Sequence, residues 1–119
     1  MANITPTVDR ISPFGDEAHV ITWPLLTAAN AAGVAIEMPG SFYRSVQFDG
    51  TWDSATAVLQ GSNDGTTWFT LNDLQGSAIS KTGNALEGIA ELTRYVRPST
   101  SGGGGSQSLY CRILLKKVR

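Results

Sequence analysis

Short β-favouring runs, each closed by a break rich in Pro, Gly, Asn or Asp, recur about every ten residues along this chain. No other feature constrains the fold as strongly, because this is the rhythm of an all-β sandwich. The sharpest break is Ser62-Asn63-Asp64-Gly65, between runs at 55–61 and 66–71. Asn and Asp bond back to their own backbone, and Gly65 supplies the positive φ that a tight hairpin needs. Composition agrees: 13 Gly, 11 Ser and 12 Thr among 119 residues argue against a helical bundle.

The runs can be followed along the chain. Residues 18–23 form a β-rich segment that Pro24 is expected to stop, and 34–38 a second that ends at Pro39-Gly40. Residues 42–48 alternate cleanly: Phe42, Val46 and Phe48 share one face, with Arg44 the exception, and Tyr43, Ser45 and Gln47 share the other. Residues 72–88 read as loop with a short strand at 78–81, and 28–35 as loop with one helical turn at most. Runs at 92–97 and 109–115 complete the set, joined by the Gly- and Ser-rich tract 98–106, expected to be a flexible loop. Seven or eight short strands with a closing C-terminal strand predict a single antiparallel β-sandwich of jelly-roll type. Residues 1–17, with Pro6 and Pro13, read as an extended N-terminal arm, disordered or ordered by a neighbouring subunit, and 18–119 as the sandwich domain. A chain of this length supports one hydrophobic core.

Charge is unevenly distributed. Residues 1–91 carry three basic side chains against ten acidic ones, whereas 92–119 carry six basic and no acidic ones. Either a basic face meets an acidic partner, or the C-terminal strand folds back beside the acidic segments and the charges cancel in space. Nucleic acid is a poor fit, because the pI is near 5.7 and no basic–aromatic interleaving occurs. No apolar run reaches membrane-spanning length, and the N-terminus has neither the basic nor the apolar region of a secretory signal. Synthesis and folding in a reducing cytoplasm are expected.

Catalytic patterns are absent from the sequence, and no cofactor or metal is expected. His19 is the single histidine, in a strand-like run, and no motif supplies a nucleophile or an orienting carboxylate for it. Cys111 is the single cysteine, on the apolar side of an alternating run, so a buried inert thiol is expected. Asp49, Asp53, Asp64 and Asp73 lack calcium-loop spacing and are residues that tight turns also select. Glycoside hydrolysis would need one desolvated acid and one ionised partner across a cleft. Gly102 to Gly105 precede no Lys-Ser or Lys-Thr and open no helix, so a phosphate loop is unsupported. Trp52, in a turn, either packs over the end of the sandwich, stacks on a sugar ring or anchors a subunit contact.

Two stretches carry a resemblance. Val58-Leu59-Gln60-Gly61-Ser62-Asn63-Asp64-Gly65-Thr66-Thr67-Trp68 is similar to the hairpin of discoidin-type domains, and Thr93-Arg94-Tyr95-Val96-Arg97-Pro98 to a later strand of that family. Residues 109–114 fall where its last strand would run. The discoidin-like resemblance implies a jelly roll and, as an alternative function, a glycan-binding module. The chain also resembles small virion proteins of tailed bacteriophages, in its size, its lack of a secretory signal and disulfides, and its Pro-bearing arm. That resemblance implies a non-enzymatic capsid decoration, or cement, protein on the virion surface. Its partners would be the major capsid protein and copies of itself, in a homo-oligomer for which capsid axes favour a trimer. The expected contacts are Ile4, Val8 and Ile11 on the arm, Trp52, and the basic end Lys116, Lys117 and Arg119.

Overall fold

The computed structural model describes residues 3–11, 18–38 and 42–117. Twelve strands are formed among them: β1 Asn3–Ile4, β2 Thr7–Arg10, β3 Ala18–Leu26, β4 Ala32–Gly33, β5 Ile36–Glu37, β6 Phe42–Thr51, β7 Thr56–Ser62, β8 Phe69–Thr70, β9 Ser80–Lys81, β10 Ala85–Gly88, β11 Tyr95–Ser101 and β12 Ser108–Lys117. One sheet runs β1-β4-β11-β7-β8, with β5 also on β11 and β9 also on β7; the second runs β10-β6-β12-β3-β2. All pairings are antiparallel except β1 with β4. The protein is an all-β sandwich of jelly-roll type, as the strand rhythm predicts.

Alternation builds the core. Ile21 and Trp23 on β3, Val46 and Phe48 on β6, and Cys111, Ile113 and Leu115 on β12 point inward and are buried, facing Ala57, Leu59 and Val96 of the other sheet. Trp23 is fully buried and donates its indole N–H to the Val34 carbonyl at 2.9 Å, so its polar atom is satisfied. Burial pushes the Cys111 thiol well above its ordinary pKa, as expected for an inert sulfur. Arg44, the exception in its strand's pattern, does point inward; it is buried and donates from Nη1 to the Thr93 carbonyl at 3.1 Å.

Several sequence boundaries need correction. Pro24 does not stop β3, which runs on to Leu26. The register against β12 shifts between Leu109 and Cys111, and Leu25 takes a φ of 55°, so the strand passes its proline through a bulge. Of residues 34–38 only Ile36–Glu37 is strand, and the preceding β4 ends at Gly33. Of 66–71 only Phe69–Thr70 is strand. Pro98 does not open a loop, since β11 continues to Ser101 with Pro98 fully buried. The backbone explains why Pro98 is accepted there. Its partner Leu59 donates its N–H to the Ile79 carbonyl and accepts the Leu71 N–H on its own carbonyl, so both groups point away from β11. Pro98 is therefore a non-hydrogen-bonded position on that side, and its missing N–H faces the gap between β5 and β4.

The glycine tract is also more than a flexible connection. The Gly104 N–H donates to the Asp53 carbonyl and the Ser106 N–H to Asp53 Oδ2, at 3.1 and 2.9 Å. A Cβ at Gly103 would lie 1.8 Å from Gln107 Oε1, so that glycine is there for close approach. Within the segment read as an arm, β1 and β2 each add a strand to a different sheet of the domain itself. The arm's Pro13 and Gly15-Asp16-Glu17 lie outside the described residues.

Candidate functional site

The residues singled out as contacts separate into two groups. Val8 on edge strand β2 is 51% exposed and Ile11, just beyond it, 42%. The Ile11 N–H donates to the Ala18 carbonyl at 2.9 Å, which holds this edge against β3. Ala18 in turn is paired with Lys116, so the arm and the exposed Lys116 and Lys117 meet at one corner of the sandwich. A groove of about 200 Å³ opens there between the sheets, lined by Val8, His19, Ile21, Ile36, Glu37 and Leu115. Ile4 is half-buried and packs on the core. Arg119 lies outside the described residues.

Trp52 belongs elsewhere. It follows β6 at the end opposite the Phe42–Lys117 pair, about 30 Å away at the rise of an extended strand. Its ring packs partly buried against the core and its N–H donates to Asn84 Oδ1 at 2.8 Å. Trp68 is covered by Arg97, whose guanidinium carbon sits 4.0 Å from the ring centroid.

The hairpin motif forms a second feature. Gly65 has a φ of 80°, as its turn role predicts. Asp64 Oδ1 accepts from the Ser62 hydroxyl at 2.8 Å and from the Thr66 and Thr67 N–H groups, both at 2.9 Å. The Thr67 and Thr66 amides hold its pKa far below the usual carboxylate range. Across the mouth of the sandwich, Glu91 accepts from the Asn72 backbone N–H at 2.7 Å and from its side-chain amide at 2.9 Å, which also lowers its pKa. A Cβ on Gly61 would meet Thr93 Oγ1 at 2.6 Å and Leu71 Cδ2 at 2.7 Å. The glycine of the Leu59-Gln60-Gly61 run thus lets Thr93 and Leu71 close the floor between these two carboxylates. Phe69, Asn72 and Glu91 carry no motif, and only the folded chain brings them beside Asp64.

Charge cancellation in space is partly realised. Arg112 pairs with Asp49 on the neighbouring strand, and Arg94 Nε with Glu37 at 2.7 Å. No group of three or more His, Cys, Asp or Glu side chains among the described residues could hold a metal ion.

Fold and surface together define a jelly-roll sandwich in which, among the described residues, β2 forms a lateral edge and the 62–68 loop borders a polar mouth. No protein-family model matches the chain, and no curated protein matches it. Among solved structures it is similar to the SPBc2 prophage-derived protein YomS, with a TM-score of 0.60 and 8% identity over 84% of this chain and 95% of that one. It also aligns with protein NMB1881 from Neisseria meningitidis, with a TM-score of 0.42 and 11% identity over 94% of this chain and 83% of that one. A carbohydrate-binding module solved with β-1,4-galactotriose aligns at a TM-score of 0.37 and 13% identity over 95% and 82%. The first of these likenesses is one of fold.

Proposed function

We propose that this chain is a non-enzymatic structural protein of a phage particle, a decoration protein that binds across neighbouring capsid subunits and to copies of itself. The observation that carries the reading is the lateral edge. β2 has every residue exposed and is the edge strand of its sheet among the described residues, with Val8 on it and Ile11 just beyond it, beside Lys116 and Lys117. An unprotected edge strand with apolar side chains is a template for another chain, joining main-chain hydrogen bonds to burial worth about 25 cal/mol per Å² of apolar area before association costs. The fold shared with a prophage-derived protein supports a phage setting.

Quantitative mass spectrometry of purified virions from the source tests this by counting copies of the chain per major capsid protein. A simple ratio to the shell subunit is the expected result, and absence from the particle would overturn the reading. A Val8→Ser, Ile11→Ser double variant keeps its fold, because both side chains are exposed, and its occupancy on particles is expected to fall at least about tenfold. Unchanged occupancy would exclude this edge as the attachment surface.

A further inference from the structure

At the mouth beside the 62–68 loop lies a cleft of about 670 Å³, within the span of about 300–1,000 Å³ that small-molecule sites occupy. Phe69 forms its lip and is 67% exposed. On β8 this residue stands directly opposite Gly61, which has no side chain to cover the ring. An aromatic ring left open in this way adds little to folding and offers a flat apolar platform at the edge of a polar cleft.

Polar groups surround the platform in fixed positions. Asp64 takes three internal donors on Oδ1, which orients the carboxylate as an acceptor at the rim of the cleft. Asn63, which also lines the cleft, accepts the Arg94 N–H through its amide oxygen at 3.1 Å, so NH₂ is the donating end of that amide. Asn72 is clamped by Glu91 through both its nitrogens, leaving its amide oxygen as an acceptor. Thr67 and Thr70 add hydroxyls. None of these groups brings a positive charge, and two carboxylates flank the space.

We propose that this cleft binds a neutral saccharide unit, with one face of a sugar ring stacked on Phe69 and its hydroxyls bonded to Asp64, Asn63 and Asn72. A sugar offers an apolar C–H face bordered by hydroxyl donors, and the acceptor-rich rim asks for donors of that kind. Phosphates, nucleotides and acidic sugars would meet Asp64 and Glu91 as like charges. Hydrolysis needs one carboxyl group that keeps its proton near neutral pH, and hydrogen bonds hold both of these ionised.

The test is a ¹⁵N-resolved NMR titration of the intact chain with galactose, glucose and N-acetylglucosamine, with N-acetylneuraminic acid as the charged contrast. Saturable shifts confined to residues 61–72 and 91–93 with a neutral sugar support the site. So does a loss of affinity of about tenfold in Phe69→Ala with retention in Phe69→Trp. Phe69→Ala is expected to keep the wild-type spectrum elsewhere, because the ring is exposed. Four results would overturn the proposal: no response to any neutral sugar, shifts that map elsewhere, Phe69→Ala binding like wild type, or the acidic sugar binding in place of the neutral ones. None of them bears on particle attachment, which uses another edge.

Discussion

Gly33 has no room for a side chain. A Cβ there would lie 2.5 Å from Trp23 Cδ1 and 2.6 Å from Pro98 Cδ, both in the packed interior. Gly33→Ala is therefore expected to destabilise the fold by about 1–3 kcal/mol through overpacking, read as a lower denaturation midpoint at unchanged slope. Gly76 is the contrasting case, because nothing lies within 4 Å of a Cβ there and its φ of 88° is the only obstacle. At Asp64 the hydrogen bonds are reported by pH. Its pKa and that of Glu91 are lower in the folded chain, so their contribution is complete above the unfolded values of about 3.9 and 4.3 and is lost as pH falls through the folded ones. The midpoint should stay level for these groups from pH 7 to about 5 and decline below about 4. Asp64→Asn should decline less steeply, and a variant as acid-sensitive as wild type would show that these hydrogen bonds do not stabilise the fold.

Among the strands, β12 is paired on both sides along most of its length, with β6 and β3, whereas among the described residues β2 pairs only with β3. Opening β12 breaks two ladders and exposes Cys111, Ile113 and Leu115, so its amides should exchange most slowly with deuterium and those of β2 among the fastest. If β2 is the edge that receives another chain, its outward amides should gain protection when the protein is bound to particles or concentrated. Exchange that stays equally fast in both states would count against strand addition. The turn at 62–65 was legible in the sequence because its chemistry is local, with Ser62, Asp64 and Gly65 satisfying one another within four residues. The connection is nonetheless longer than a tight hairpin, since the return strand starts only at Phe69. Pro24 and Pro98 misled for the opposite reason. A proline excludes only a particular hydrogen bond, and whether that bond is needed depends on which neighbour lies on that side.

On the scale of the whole molecule, the described chain has a radius of gyration of 13.7 Å, close to the roughly 13.5 Å of a compact domain of this length. Small-angle scattering at low concentration should return a value near this for a single chain. Growth with concentration that Val8→Ser, Ile11→Ser abolishes would assign self-association to the β2 edge, and growth that survives the substitutions would assign it elsewhere. The sequence placed the contact residues on one list, but the fold separates them, with Val8, Ile11 and Lys116 at one corner and Trp52 about 30 Å away by the extended-strand rise.

Strand rhythm, turn chemistry and inward alternation are local properties, and they determined the all-β class, the central hairpin and most of the core, down to Phe48, Cys111 and Ile113. Neighbours remote in sequence decided the rest. Gly61, Phe69, Asn72 and Glu91 form one cleft with Asp64 only because β7, β8 and the segment after β10 converge at one mouth of the sandwich. Each looks ordinary in its own stretch of chain. A binding surface is made of groups brought together by the burial of other groups, and that burial is a property of the whole fold.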